Sequence, residues 1–480
     1  MSSLRLAAFV TLLLLALGPR VWELSRRPMH ADEANQALKT GRLLEDGAYA
    51  FDPRDHHGPT LYYAALPLAW VRGERTLAEL SETTLRLGPA LWGVAAVLLL
   101  AVLGPVEAYG ARWLAAAFLA LSPPAVYYAR CYIQETLLLA FTLLAVALAQ
   151  RWWRTGRAAW AAGAGGALGL MLATKESALL LVAALVVAGV AARPARPAAQ
   201  RPGRDVLLAL VCAAAVAAAF YSSFGGNPAG LRDALLAPWL GGQRAVGMTG
   251  HEKPWWYYLQ LLTTAASGGP GWGQTVLLLL ALLGAARGWV ERSAWLRGNA
   301  VYAFVLLLVL SVVPYKTPWN LVSVLPALAV LAAGGIAGIT RRRGGALVAR
   351  VLAALALVTL AVDAWRVAIQ RPADSRNPWA YVQSGFDVLK VRSWGIVARA
   401  AAPDEPIRVI APEYWPVPWY LRGVPRVGYW NAPPAACDGA VVLVAAEQAD
   451  VVRARLHGRY RERFIGLRPG VLLVAFVRAP

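Results

Sequence analysis

His30-Ala-Asp32-Glu33 follows the first apolar run of the chain, His57-Gly58-Pro59-Thr60-Leu61-Tyr62-Tyr63 comes next, and Leu85-Arg86-Leu87-Gly88-Pro89-Ala90-Leu91-Trp92-Gly93 leads into the second apolar run. The adjacent acids Asp32 and Glu33 and the histidines His30 and His57 are thus held between two stretches long enough to cross a bilayer. Such a pattern reads as helix, polar surface loop, helix, and it sets the reading of everything after it.

Working outward, apolar runs of membrane-spanning length recur at about 5–22, 88–104, 112–128, 133–150, 158–173, 177–192, 206–222, 274–288, 299–314, 319–338 and 346–366. The sequence therefore predicts a polytopic α-helical membrane protein of about eleven spans. Of the 480 residues 58% are hydrophobic and only 15% charged, which excludes an ordinary soluble protein of this size. The first run has an Arg5 flank but no small-x-small cleavage site, since Leu17-Gly18-Pro19-Arg20 follow directly, and it reads as a retained anchor. After Arg366 short alternating strands replace the long runs. Residues 1–366 are expected to form the membrane domain, with outer loops at 23–87 and 223–273. Residues 367–480 are expected to form a small α/β domain with strands at 406–411, 426–429, 440–445, 461–466 and 471–478, and helices at 414–421 and 447–456. The aromatic run Tyr414–Tyr420 suits docking on the membrane domain better than touching sugar.

The net charge of +20 comes from basic residues dispersed over the loops, with no nucleic-acid motif, so nucleic acid is excluded as a partner. Alternating the spans from a cytoplasmic N-terminus gathers arginines into the inner loops: Arg112; Arg151, Arg154 and Arg157; Arg193, Arg196, Arg201 and Arg204; Arg287, Arg292 and Arg297; and Arg341, Arg342, Arg343 and Arg350. The acids among them are Glu107, Asp205 and Glu291. The C-terminal domain then falls outside the cell membrane, as does every unusual polar motif. Lysine is rare here (Lys39, Lys175, Lys253, Lys316 and Lys390), yet three of the five lie in those outer motifs, where a compact ammonium suits a phosphate. Cys131, Cys212 and Cys437 give neither a paired framework nor metal spacing. Free thiols are expected, with a Cys131–Cys437 bridge as the alternative.

Each motif has a functional and a bland reading. Asp32 is a general base for an acceptor, or the cap of a helix over 34–44; spacing alone favours the cap. Arg130 and Glu135, flanking the span at 133–150, serve a site or form an interfacial ion pair. Lys175-Glu176, in a short outer turn, is a local pair, or Lys175 reaches a lipid phosphate. His251-Glu252-Lys253-Pro254-Trp255-Trp256-Tyr257-Tyr258 combines charge with aromatics that either anchor at the interface or stack on sugar. It is not a zinc-protease motif, because Trp255 stands where the second histidine would be. Gly163-Ala-Gly165-Gly166-Ala-Leu-Gly169 imitates a dinucleotide loop but lies inside a span, where close helix packing explains it. No Walker A motif is present.

The first-loop motifs resemble the start of the GT-C membrane glycosyltransferases, the class that includes the protein O-mannosyltransferases and the aminoarabinose transferase of lipid A. Ser122-Pro123-Pro124 through Tyr128, Arg130 and Glu135 is similar to a further element of that class, with glutamate where the pattern has aspartate. Lys175, His251–Tyr258 and Tyr315-Lys316-Thr317-Pro318-Trp319 look closer to one branch, the flippase-activity-associated family of archaeal N-glycosylation and its bacterial relatives. The resemblance implies a glycosyltransferase that moves a sugar from a polyprenyl-phosphate donor to an acceptor hydroxyl or amide at the outer face of the membrane. Its partners would be that donor, the lipid bilayer, and a glycan, lipid or protein acceptor. It implies Asp32 as base, with Glu33 and Glu135 as further catalytic acids that orient the base or hold a divalent cation, Mg or Mn. His57, Arg130, Lys175, Lys253 and Lys316 would serve the departing phosphate. His251, Trp255, Trp256 and Tyr257 would contact sugar or acceptor. The rival readings are a non-catalytic subunit and a flippase-associated protein of lipid-linked glycan assembly; span interiors almost free of charge argue against a transporter.

Overall fold

The apolar runs become helices because within a bilayer each backbone amide must be satisfied along its own segment. The computed structural model describes residues 3–55, 57–105, 109–192, 201–247, 250–263 and 274–479. His56, Glu107, Arg193 and Arg196 lie outside them, as does 264–273 of the loop expected at 223–273. Each of the eleven apolar stretches overlaps at least one α-helix among the described residues. Five helices are long and apolar enough to cross a membrane: Glu82–Val102, Glu135–Thr155, Pro202–Tyr221, Ala294–Val312 and Gly345–Gln370. Several others are apolar but shorter, among them Ala158–Leu172, Ala178–Ala192, Thr275–Val290 and Leu325–Thr340.

Two expected spans are broken. The stretch at 112–128 divides at Ser122 into Tyr109–Leu121 and Pro123–Ala129, because the consecutive prolines Pro123 and Pro124 supply no amide hydrogens to continue the ladder. The stretch at 319–338 begins its α-helix only at Leu325, after a 3-10 turn at Pro318–Ser323. Pro314 and Pro318 keep the intervening chain irregular, and that irregular chain carries Lys316. The glycine-rich helix Ala158–Leu172 packs backbone to backbone on Pro202–Tyr221. A β-carbon on Gly165 would lie 2.0 Å from the Ala209 carbonyl oxygen, and one on Gly169 2.5 Å from that of Ala213. The small residues serve helix packing there, not a nucleotide.

The loop between the first two apolar runs is locked by one carboxylate. Glu33, on the helix Ala31–Asp46, is wholly buried. Its Oε1 accepts from Arg86 Nε at 2.8 Å and from the Tyr132 amide at 2.8 Å. Its Oε2 accepts from Arg27 at 2.9 Å, Arg86 Nη2 at 2.9 Å and the His30 amide at 3.0 Å. Arg86 also holds the carbonyls of Leu24 and Arg27, each at 2.7 Å. Arg27 reaches the Gln383 side chain and the Arg130 carbonyl, both at 3.0 Å.

The C-terminal region builds a five-stranded sheet: β1 (Ile407–Ile410), β2 (Val427–Trp430), β3 (Val441–Ala445), β4 (Tyr460–Arg468) and β5 (Val471–Arg478), in the order β2-β1-β3-β5-β4. The first three strands run parallel; β5 and β4 are antiparallel additions. The helix Leu389–Ala401 was not expected from sequence. The aromatic run docks on the membrane domain. Trp419 Nε1 donates to Glu82 at 2.7 Å, and the Tyr420 hydroxyl accepts from the Met29 amide at 2.8 Å. The three cysteines are free thiols.

Burial by itself would raise the Glu33 carboxyl, but Arg27 and Arg86 outweigh it and hold its pKa at about 2. The sign follows: its contribution to stability is complete above the unfolded value of 4.5 and is lost as pH falls through about 2. Glu33→Ala leaves two guanidinium groups buried without their anion and should cost about 3–5 kcal/mol, read as a lower Tm in thermal unfolding. Asp32→Ala, one residue away, should leave Tm nearly unchanged.

Candidate functional site

Asp32 does not cap its helix. His30 takes that position, and its Nδ1 accepts a hydrogen bond from the Asp32 amide at 3.0 Å. Glu33 completes a capping box through the His30 amide. Neighbouring helical positions point about 100° apart, so Glu33 turns into the arginines while the Asp32 carboxylate stays 42% exposed. Among the described residues Asp32 lines a narrow cavity with His30, Tyr128, Trp319, Tyr381 and Gln383.

Two motifs far apart in sequence are knitted together beside Tyr381 of this cavity. Glu252 and Tyr315 form an antiparallel bridge, the Lys253 amide donates to the Pro314 carbonyl at 3.2 Å, and the Lys316 amide to the His251 carbonyl at 3.0 Å. His251 Nδ1 and the Tyr381 hydroxyl are 2.8 Å apart. Burial pushes the His251 ring below its ordinary pKa, while the Asp32 charge pulls the other way and Lys253 adds to the lowering. Burial raises the Tyr315 phenol to about 12, helped by the charges of Asp32 and Glu135. Both motifs therefore lie within electrostatic reach of Asp32.

The cations divide into paired and unpaired. Lys175 forms an ion pair with Glu135, both side chains buried. His57 Nδ1 lies 2.7 Å from Glu176, whose other oxygen is 3.8 Å from Arg244. Gly58 makes this approach: a β-carbon there would be 2.2 Å from the Ala173 carbonyl oxygen. Burial would raise the Glu176 carboxyl, but the His57 ring and its hydrogen bond, with Lys175 nearby, hold it at about 2. Lys316 is different. It is buried, its Nζ donates to the Val313 carbonyl, and among the described residues it has no carboxylate partner. Burial lowers its pKa, as for an ammonium lacking its anion. Lys253 lies over the Tyr381 ring, 5.6 Å from its centre.

Other expected site residues stand elsewhere. Arg130 spends its guanidinium on the carbonyls of Pro19 and Trp22, at 2.9 and 2.6 Å, where the helix Ser3–Val21 ends. Trp255 and Trp256 are 63% and 50% exposed and pack on each other, as interfacial anchors do. Tyr257 is partly buried and packs edge-on against Tyr258, centroids 5.3 Å apart. A divalent cation fits poorly. Glu33 is fully hydrogen-bonded, Glu135 is paired with Lys175, and no three His, Cys, Asp or Glu side chains among the described residues converge as ligands. Sequence reasoning missed His30, Arg244, Trp319 and Tyr381 as site residues. His30 and Trp319 stood inside quoted motifs; Tyr381 had no local signal.

The model of the dolichyl-phosphate-mannose-protein mannosyltransferase family matches residues 10–194, under half of the chain. No curated protein matches the chain in sequence. Among solved structures, ArnT from Cupriavidus metallidurans in the apo state has a TM-score of 0.66 at 14% identity, over 99% of this chain and 98% of ArnT. The same protein bound to undecaprenyl phosphate has a TM-score of 0.63 at 15% identity, over 99% and 98%. The oligosaccharyltransferase of Archaeoglobus fulgidus, tethered to an acceptor peptide, has a TM-score of 0.60 at 13% identity, over 100% of this chain and 74% of that one; another structure of it contains Zn and sulfate. The chain thus shares the fold of these solved membrane glycosyltransferases along its whole length, and its N-terminal part matches the mannosyltransferase family model.

Proposed function

We propose that the chain transfers a sugar from a polyprenyl-phosphate-linked donor to an acceptor hydroxyl or amide on the outer face of the cytoplasmic membrane. The observation that carries this reading is Asp32: a carboxylate released from capping by His30, half-exposed at a cavity walled by aromatic rings, with the unpaired ammonium of Lys316 on an adjoining segment. Complexes of the two solved relatives with undecaprenyl phosphate and with dolichol-phosphate support a lipid-phosphate leaving group. In the proposed step Asp32 takes the acceptor proton as the acceptor atom bonds to the anomeric carbon. The bond from that carbon to the phosphate oxygen breaks, and its electron pair leaves on the polyprenyl phosphate. Lys316 and Lys253 stabilise that charge in a poorly hydrated setting. Lys175 and His57 contribute through their carboxylate partners Glu135 and Glu176, while Arg130 and Glu33 hold the loops in place. No step here needs a metal ion.

The arginine-rich loops motivate the orientation: N-terminus in the cytoplasm, C-terminal sheet outside. A reporter fused after Pro480 should be active only on the external side, and activity in the cytoplasm would invert the site.

Asp32→Asn should lower transfer by roughly 10²–10⁴-fold with Tm unchanged, since a positioned base contributes about that much and the cap belongs to His30. Lys316→Ala should instead weaken donor binding. The measurement is glycan transfer by purified protein set beside its thermal unfolding. Wild-type rates from Asp32→Asn would remove the base assignment. Failure of the wild-type protein with every donor and acceptor pair would favour the non-catalytic subunit.

A further inference from the structure

The end of the helix bundle remote from Asp32 holds two large cavities. The helix Glu82–Val102 carries Arg86 on Glu33 near its start and Leu100 near its end, about 20 Å further on at 1.5 Å per residue. Leu100 lines both cavities, of about 520 and 530 Å³, and so do Leu103, Pro105, Ser293 and Trp295. The two are therefore neighbours that share one wall. Beyond that wall each is largely apolar. Leu114, Leu296, Val330 and Ile336 line the first, and Leu139, Leu143, Val146 and Leu185 the second. The charges that line them are mostly of one sign. Arg112, Arg287 and Arg341 line the first and Arg154 the second, against the one lining carboxylate of Glu291. Glu291 is divided between Arg287 at 2.7 Å and Arg341 at 3.3 Å. Arg112 and Arg154 meet at Gly104. Arg154 donates to the Gly104 carbonyl at 2.7 Å, and a β-carbon on Gly104 would stand 3.5 Å from Arg112 Cδ and 3.1 Å from Trp295 Nε1. All four arginines lie within one turn of a helix terminus. Two apolar slots thus flank Trp295 beneath one basic rim.

We propose that this end of the bundle binds a diacyl phospholipid with an anionic headgroup, its phosphate at the guanidinium groups and one acyl chain in each cavity, on either side of Trp295. Charge complementarity carries the headgroup. Guanidinium forks match phosphate oxygens, and a basic pocket between membrane helices is where an acidic headgroup is held. The pairing of the cavities carries the two chains, and it argues against the single chain of a polyprenyl phosphate. The arginines belong to loops expected to face the cytoplasm, so this lipid would lie in the leaflet opposite the proposed sugar transfer. The inference is independent of that transfer.

Native mass spectrometry tests it, on the full-length protein in detergent with equal amounts of phosphatidylglycerol and phosphatidylcholine. The wild-type protein should retain phosphatidylglycerol with about tenfold preference. Arg112→Gln combined with Arg341→Gln should abolish that preference. Arg154→Gln, which leaves both of those arginines in place, should weaken it and serves if the double variant does not fold. Gly110→Leu combined with Gly189→Leu fills the slots instead. Gly110 lines the first cavity and Gly189 the second, and a β-carbon on either meets nothing within 4 Å. Leucine also favours a helix over glycine, so this pair should exclude both lipids with Tm in lipid-free micelles unchanged or raised. Equal retention of the two lipids by the wild-type protein would overturn the proposal. So would survival of the preference in the arginine variants, or of lipid binding in the leucine pair, since the lipid would then sit elsewhere. Displacement of phosphatidylglycerol by equimolar decaprenyl phosphate would assign the cavities to a single-chain lipid, and displacement by glycerol 3-phosphate would assign the arginines to a soluble phosphate; either result overturns it too.

Discussion

One buried carboxylate between two buried guanidinium groups organises the first polar loop of the molecule. Glu33 accepts five hydrogen bonds, from Arg86, Arg27 and two backbone amides, and so joins three separate stretches of chain at a point. Such a cluster adds little net stability compared with an apolar core of equal volume, but removing one member strands the others. Its value lies in geometry. With both of its oxygens committed, the helix Ala31–Asp46 has one rotation about its axis, and that rotation turns Asp32 to the cavity.

The remaining charges follow the same logic of commitment. Lys175 answers Glu135, His57 answers Glu176, and Arg130 answers the end of the first helix. Each interaction compensates a group that would otherwise be expensive to bury. Lys316 departs from that rule, its buried ammonium reaching only a backbone carbonyl, and Trp319 on the same segment lines the cavity with Asp32. Sites that carry chemistry are where such departures concentrate.

Much of this was legible in the sequence because it is written locally. Apolar runs mark helices, and alternation in 406–478 marks strands, since both periods are properties of neighbouring residues. The double proline at 123–124 could have announced the broken span, but the hydrophobic run masked it. The division of labour between Asp32 and Glu33 was not legible. Adjacent acids differ only in direction, and direction was set by Arg27 and Arg86, themselves placed by the fold. Arg130 had the residue type and position of a phosphate ligand, yet its partners are carbonyls at 19 and 22. Tyr381 and Gln383 were invisible as site residues because they arrive from the far end of the chain. The segment around them is tied to the helix Pro123–Ala129 by the Tyr128 hydroxyl on the Trp379 carbonyl at 2.9 Å.

That last connection bears on the order in which the molecule is made. Synthesis delivers the N-terminal part first. The partners of Glu33 are complete once Tyr132 has emerged, so the first loop can take its shape while most of the chain is still on the ribosome. The cavity cannot. Its wall from Tyr381 and Gln383, and the clasp of Tyr420 on the Met29 amide, depend on the last quarter of the polypeptide. The proposed base is thus positioned early and enclosed late, and a nascent or truncated chain holds Asp32 in place with no chamber around it.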